Sequence, residues 1–150
     1  MAEYYFANPD FVRLGEELVK RGHNVSVLTS IREVDKTEKI RNMTIIEVDP
    51  IVTLHRLPHT LTFPTSLIYR TIKQQNIEII HLLNDLSTNA ALASFVSKLV
   101  DVPYVYTIQG PGTRLGHPLV DTVISTYHWT VERWIVNGAK TVILLSESLK

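Results

Sequence analysis

The hydrophobic period of this sequence switches repeatedly between helical and strand spacing, and this alternation most restricts the possible folds. Apolar side chains three and four residues apart predict helices, and the short apolar, β-branched runs between them predict strands. The predicted order is α-β-β-α-β-α-β-α-β. Strands that alternate with helices are typical of a mostly parallel sheet with helices on both faces. The predicted fold class is therefore α/β, a Rossmann-like doubly wound sheet.

The predicted elements have definite bounds. Helices are expected over residues 10–22, 65–76, 87–99 and 118–138, and strands over residues 24–30, 44–48, 77–83, 104–108 and 141–145. Residues 31–42 and 49–64 are expected to be loops. The core-facing stripes are expected to be Phe11, Leu14, Leu18 and Val19 in the first helix, and Ala91, Phe95 and Leu99 in the third. Gly22 is expected to end the first helix in a left-handed conformation.

Length and composition indicate one globular domain over residues 1–150. Apolar residues make up 45% of the 150 residues, and 15 Lys and Arg balance 15 Asp and Glu. With no positive excess, binding to nucleic acid through bulk charge is not expected. Zero cysteines exclude disulfides and cysteine ligands within this sequence. No apolar run approaches the ~20 residues of a membrane span, so a cytoplasmic location is expected.

Both ends of the sequence are unusual for this fold. A doubly wound sheet ordinarily opens with a strand, whereas only Ala2–Phe6 precede the first predicted helix. At the other end, the pattern stops just after a helix begins at Ser146. We therefore expect a fold that lacks its first strand and belongs to a larger protein.

Ligands of such sheets bind outside the carboxyl ends of the strands, which directs attention to the polar residues there. His81 and Asn84 lie at the end of the strand over residues 77–83, and Gln109 follows the next strand. His81 is either a hydrogen-bonded core histidine or a ligand-binding residue. For Gln109, a role in core hydrogen bonding and a substrate contact are both open.

The loop over residues 110–116, GPGTRLG, lies between a strand and a helix. It resembles the dinucleotide-binding fingerprint but has one residue too many before its last glycine. Pro111 also removes a backbone N–H that a phosphate cradle would use. The loop is either a flexible surface loop or a site for an anion or acceptor, with Gly110 and Arg114 as its candidate residues.

The remaining residue patterns predict neither a metal site nor a known catalytic motif. Pro58 between His55 and His59 disrupts helical spacing, so no metal site is predicted. Trp129 and Trp134 are expected to be packing residues, within this domain or against a missing partner domain. Without a Walker loop, a nucleophile elbow or a zinc-protease motif, no catalytic residue can be assigned.

Four segments taken together resemble a known family. In this order and spacing, the chain carries EELVKRGHNVSVLTS, IEIIHLLN, ALASFVSKLVDVPYVYTIQG and AKTVILLSESLK. This set is similar to the N-terminal domain of GT-B glycosyltransferases, most of all to the retaining family 4 group. The resemblance runs from Glu3 to Lys150. It implies metal-independent transfer from a nucleotide sugar, bound mainly by a C-terminal donor domain that is not among these residues.

The resemblance also assigns roles to individual residues and shows where this sequence differs from the family pattern. Ser146 and Glu147 match the family's serine-bearing turn toward the second domain, which makes them candidate substrate-binding residues. Of the family's H-x-H at the end of a strand, only His81 remains. Gln109 stands where the family usually has a histidine near the reacting sugar. Ala7-Asn8-Pro9-Asp10 stands where the family has a glycine pair that approaches the donor phosphates.

Three functional hypotheses follow. The first is the acceptor-side domain of a transferase that acts on a glycan or lipid-linked acceptor, inactive alone and without a cofactor other than the nucleotide-sugar co-substrate. For this hypothesis the apolar residues of 51–63 either contact the inner face of a membrane peripherally or fold back onto the core, and both alternatives are open. The second is a non-catalytic, degenerate transferase subunit that needs a partner chain. The third is an unrelated nucleotide binder that uses loop 110–116.

Overall fold

The chain divides into two compact units, Met1–Val52 and Thr53–Lys150. A computed structural model describes residues 9–29, 36–47, 65–83, 88–108, 116 and 118–145. The architecture is α/β, with two three-stranded sheets among these residues. The organisation of residues 1–150 as one domain stays a prediction.

The first unit pairs one helix with a mixed sheet. Its elements are α1 (Pro9–Lys20), β1 (Ser26–Thr29), β2 (Lys36–Ile40) and β3 (Met43–Glu47). The strand order is β1-β3-β2, with β1 parallel and β2 antiparallel to the central strand β3. Met43 and Ile45 of β3 are fully buried, and they pack with Val12 of α1 in the core of this unit.

The expectation of a loop over residues 31–42 is wrong for its second half, because Lys36–Ile40 forms β2. Ile40 pairs directly with Met43, so a two-residue turn joins β2 to β3. Arg41 and Asn42 both have positive φ, 50° and 64°, which is the conformation of a type I′ hairpin turn. The charged side chains of β2 hid this strand, since an edge strand with one solvated face tolerates lysine and glutamate.

The buried face of α1 agrees only in part with the predicted stripe: Val19 packs against the core as predicted, but the centre of the face lies elsewhere. Val12 and Gly15 are buried, whereas Leu14 is 39% exposed. A Cβ placed on Gly15 would collide with the Met43 sulfur. The helix therefore packs through its glycine, which lets the long Met43 side chain lie against the α1 backbone.

Gly22 ends α1 as predicted, with a φ of 86°. The Gly22 N–H donates to the Val19 carbonyl at 2.9 Å, and the His23 N–H donates to the Leu18 carbonyl at 3.1 Å. These two bonds are those of a Schellman motif. The prediction of a left-handed terminating residue is confirmed.

We expect Gly22→Ala to lower the free energy of unfolding by about 1 kcal/mol, because an alanine in the left-handed region is strained. A Cβ at Gly22 would meet nothing within 4 Å, so backbone conformation alone would cause the loss. Gly22→Asn is the matched control, since asparagine tolerates this conformation. Urea denaturation followed by far-UV circular dichroism measures both. Equal losses in the two variants would contradict the backbone explanation.

The second unit contains the all-parallel sheet. Its elements are α2 (Thr65–Gln74), β4 (Ile80–Leu83), α3 (Thr88–Val100), β5 (Tyr104–Ile108), α4 (Pro118–Tyr127), a π-helical turn (His128–Glu132), α5 (Arg133–Gly138) and β6 (Thr141–Leu144). The strand order is β4-β5-β6. The strand predicted over residues 104–108 is confirmed residue for residue. Among the described strands the apolar β4 lies at an edge, and β5 is central.

The core of the second unit lies on one face of this sheet. Leu82, Tyr104 and Tyr106 point to that face and pack against Ala90 of α3 and Ile135 of α5. The opposite face, set by the alternation of side chains along each strand, carries His81, Thr107 and Ile143. This division places the polar side chains of the sheet away from the aromatic core.

The predicted core stripe of α3 is confirmed for Ala91, which packs against the core, and wrong for the other two residues. Phe95 and Leu99 are exposed, at 48% and 66%, and Ser94 and Ser97 are buried instead. Both serine hydroxyls are satisfied, because Ser94 donates to the Ala91 carbonyl and Ser97 to the Val102 carbonyl. Burial of a small polar side chain costs little free energy when its hydrogen bond is kept. The two serines of α3 can therefore face the core.

The helix predicted over residues 118–138 is continuous but contains one π-helical turn, His128–Glu132. A π turn inserts a residue into a helix and is frequent at functional positions. Thr122 and Thr126 before this turn, and Thr130 within it, each donate a hydroxyl hydrogen bond to the carbonyl four residues earlier. Such bonds slightly weaken and bend the helical ladder.

The predicted fold class therefore holds in part. The α/β class is confirmed, and the sheet β4-β5-β6 is parallel as expected. The structure does not show one doubly wound sheet, since the described strands form two sheets and β2 is antiparallel. The hairpin turn at Arg41–Asn42, which reverses the chain where a loop was expected, accounts for the antiparallel strand β2.

Candidate functional site

A histidine on β4 and a threonine on β5 meet near the carboxyl ends of these strands. The Nε2 atom of His81 lies 2.6 Å from Oγ1 of Thr107. The register pairs His81 with Val105, and Leu83 with Thr107, so the bond slants toward the carboxyl edge of the sheet. Because β4, β5 and β6 are parallel, their carboxyl ends share this edge, where α/β sheets bind ligands.

The environment of His81 keeps its ring neutral at physiological pH. The residue is exposed overall, but its Nε2 abuts Thr107, which is only 3% exposed. This partial burial of the ring lowers the pKa of His81 below its ordinary value of 6.5, because desolvation disfavours the charged form. A neutral imidazole has one N–H donor and one acceptor nitrogen. The tautomer decides which partner donates in the bond to Thr107.

Two tyrosines on the other face hold β5 in place beneath the site. The Tyr104 hydroxyl donates to the Ile135 carbonyl at 2.6 Å, and the Tyr106 hydroxyl donates to Oε1 of Glu132 at 3.1 Å. Burial, and then the negative charge of Glu132, raise the pKa of Tyr106 far above its ordinary value of 10.0. Tyr106 therefore stays protonated and remains the donor. These bonds tie β5 to the helical run that follows it.

Of the candidate site residues from the sequence, the structure places His81 alone. It is hydrogen-bonded, as the core interpretation requires, but its exposure agrees with a ligand-binding role. The other candidates lie outside the described residues: Asn84, Gln109, Gly110, Arg114, Ser146 and Glu147. The histidines of residues 49–64 and the apolar residues of 51–63 lie outside them too. The assignments of these residues stay predictions.

Sequence reasoning missed Thr107 as a site residue. Thr107 lies two positions beyond Val105, and period-two alternation places both on one face of β5. That signal was available, but the pairing of His81 with Val105 depends on strand register. Register in parallel sheets follows from tertiary packing, so the sequence could not bring the two side chains together.

The expectation that Trp129 packs within this domain is not met among the described residues, whereas packing against a further domain stays a prediction. Trp129 is 72% exposed, in the π-helical turn. Trp134 is 39% exposed, and the Lys98 ammonium lies 4.1 Å from the centroid of its ring. The two tryptophans therefore differ: one supports a cation–π contact between α3 and α5, and the other faces solvent.

Comparison with known proteins decides the family. Residues 11–150 match the sequence profile described as Glycosyltransferase Family 4. The chain belongs to glycosyltransferase family 4. The match covers nearly all of the sequence and corresponds to the N-terminal region of the GT-B fold, which confirms the resemblance stated above. A search among curated proteins finds no matching relative.

Family membership implies glycosyl transfer from a nucleotide sugar to an acceptor. In the described ranges, no cluster of three or more metal-ligating side chains is present. In the same part of the chain, no helix combines the length and apolar character needed to cross a membrane.

Proposed function

We propose that this family 4 chain forms the acceptor side of a transferase that moves a sugar from a nucleotide donor to a glycan or lipid-linked acceptor. The observation that carries the proposal is the His81–Thr107 pair at the carboxyl edge of a parallel sheet, in a chain that matches the family over residues 11–150. Retention at the transferred sugar and independence of metal are proposed from the family resemblance.

The chemistry of the pair suits binding of hydroxyl groups. A neutral imidazole and a threonine hydroxyl each offer both donor and acceptor capacity, as sugar hydroxyls do. The lowered pKa of His81 argues against a charged imidazolium that would bind phosphate. We therefore assign His81 to orientation of the acceptor, with Thr107 as the residue that fixes the imidazole ring.

Catalytic turnover is proposed to need a donor-binding domain in addition to these residues. In the resembled family the donor is held mainly by the C-terminal domain, and the matched residues correspond to the N-terminal region. Transfer requires donor and acceptor to be held together in a closed cleft. Residues 1–150 by themselves are then expected to bind an acceptor without transferring a sugar to it.

We expect residues 1–150 to release no nucleotide from UDP-glucose or GDP-mannose above the rate without protein, with oligosaccharides as acceptors. In the same samples, acceptor binding should shift the His81 ring signals in a ¹H–¹⁵N NMR titration. His81→Ala should weaken this binding by about tenfold or more, as read from backbone amide shifts.

The matched control is His23→Ala, which removes an exposed histidine beyond the end of α1. It should leave both the amide shifts and the affinity unchanged. Robust nucleotide release by residues 1–150 would contradict the proposed need for a donor domain. Equal affinity in the two alanine variants would overturn the assignment of His81 to acceptor binding.

A non-catalytic role is the second candidate, and Gln109 favours it. Glutamine at the position of the family's usual histidine cannot act as an acid or base. This candidate predicts acceptor binding that persists without turnover even when a family 4 donor domain is supplied as a partner chain. Sugar transfer by such a pair would exclude it. The membrane contact proposed for residues 51–63 is independent of this choice.

A further inference from the structure

A shallow groove of about 440 Å³ runs along one side of α4 into the π-helical turn. Its described lining consists of Asp121, Thr122, Ser125, Thr126 and Trp129. Positions 121, 125 and 129 are four residues apart, and so are 122 and 126, so these side chains form one strip of the helix surface. The volume is within the range of small-molecule sites.

Trp129 is the unusual member of this strip. Tryptophan is highly buried on average in folded proteins, yet Trp129 is 72% exposed. Its indole offers a broad apolar face and one N–H donor, a combination enriched where one surface must be both apolar and hydrogen-bonding. The neighbouring Trp134 is less exposed, at 39%, and Lys98 lies over its ring, so the two tryptophans of this helical run differ in their surroundings.

The chemistry of the strip fits a sugar ring. A pyranose presents C–H groups on its faces, which pack on an aromatic surface, and hydroxyls at its edge. The Asp121 carboxylate accepts hydrogen bonds from hydroxyls, and the Ser and Thr oxygens accept as well. Thr122 and Thr126 donate their own protons to backbone carbonyls, so toward a ligand their oxygens are left with acceptor capacity. We propose that this strip is a saccharide-binding site with Trp129 as its stacking residue.

The same lining argues against two other ligands. Among the described lining residues there is no lysine or arginine. Phosphate groups of nucleotides and the anionic surface of a membrane are bound chiefly through such cations. The one carboxylate of the strip, Asp121 at its N-terminal end, gives neither anion a favourable charge.

The direction of the helix connects the strip to the edge of the sheet. Because β5 and β6 are parallel, the helical run between them returns antiparallel to the strands, so Pro118 lies toward the carboxyl edge. Residues 121–129 then extend about 12 Å along the helix away from that edge. The geometry suits an acceptor of several sugar units rather than a monosaccharide. The choice of an oligosaccharide acceptor as the ligand rests on the proposed function, whereas the presence of the groove does not depend on it.

The test uses Trp134→Phe, which leaves Trp129 as the single tryptophan, because the sequence has two. Maltohexaose, cellohexaose and mannohexaose are titrated separately while the Trp129 emission is recorded, with no nucleotide sugar present. At least one should give a saturable change of intensity or wavelength. By NMR titration, Trp129→Ala should weaken that saccharide's binding by about tenfold, and Trp134→Phe should leave it unchanged.

In the other arm of this test, Trp129 emission is recorded with vesicles of phosphatidylethanolamine and phosphatidylglycerol in place of the saccharides. A blue shift of Trp129 with vesicles and no response to the saccharides would overturn the proposal, and so would saccharide binding that Trp129→Ala leaves intact. A Trp129 response to a saccharide in a protein that transfers no sugar even when a family 4 donor domain is supplied would refute the proposed function alone. Sugar transfer by that pair without a Trp129 response would refute the saccharide strip alone.

Discussion

Replacement of Ile135 by alanine is expected to lower the free energy of unfolding of the second unit by about 3 kcal/mol. Ile135 is 1% exposed and lies in the core with Leu82, Tyr104 and Tyr106. Removing its outer carbons loses their burial and leaves a cavity in the core that contains the two tyrosine rings. These rings cannot collapse into it, because their hydroxyls are tied to the helical run at Glu132 and at the Ile135 carbonyl.

Ile143→Ala is the matched control for this substitution. It deletes the same atoms from a side chain that is 39% exposed on the opposite face of the sheet. Its loss should be about 1 kcal/mol or less, since surface substitutions have small effects. Both tryptophans of the chain lie in Thr53–Lys150, so urea denaturation followed by their emission reports this unit. Equal losses for the two variants would show that Ile135 is not a core residue.

The second large effect is expected from Gly138→Ala. The new Cβ would lie 2.5 Å from the Tyr104 hydroxyl oxygen and 2.8 Å from Cε and Nζ of Lys98. Lys98 can move aside at little cost, whereas Tyr104 is buried and hydrogen-bonded to Ile135. Alanine gains about 1 kcal/mol in helix propensity, and overpacking costs up to about 3 kcal/mol, so we expect a net loss of about 2 kcal/mol.

A double-mutant cycle isolates the Gly138–Tyr104 contact. Tyr104→Phe removes the oxygen that the alanine would meet, at the cost of one hydrogen bond, about 1 kcal/mol. In the Tyr104→Phe background, Gly138→Ala should therefore lose much less stability than in the native background. The coupling should be at least about 1 kcal/mol in urea denaturation. Additive losses would place the effect of Gly138→Ala elsewhere, with Lys98 as the next contact to vary.

The elements predicted most accurately are those with strong local signals. The strand Tyr104–Ile108 has its predicted bounds, because a β-branched, aromatic run follows directly after Pro103. The helix ends at Gly22 and near Asn76 were also predictable. Both residues have positive φ, and glycine and asparagine adopt that conformation at low cost. Edge strand β2 had no comparable signal, since its lysines and glutamate are equally typical of a loop.

Of the two residues that form the candidate site, only one was predictable from the sequence. His81 stood out in the sequence as a polar residue in an apolar strand at the edge where ligands bind. Thr107 became its partner only through the register of β4 on β5. The exposure of Trp129 was similarly hidden. Helical periodicity placed it on a long helix, but the π-helical turn changes the spacing in the middle of that helix.

The sequence by itself determined the α/β class, the family and the positions where most helices begin or end. These depend on local periodicity, on turn chemistry and on an ordered set of segments, all of which can be read along the chain. Only the tertiary structure decided which faces are buried: Gly15 against Met43, the serines of α3 turned inward, and the histidine of β4 turned toward Thr107. These choices depend on the shapes of surfaces that are distant in sequence. Close packing selects small residues at such contacts as readily as large apolar ones.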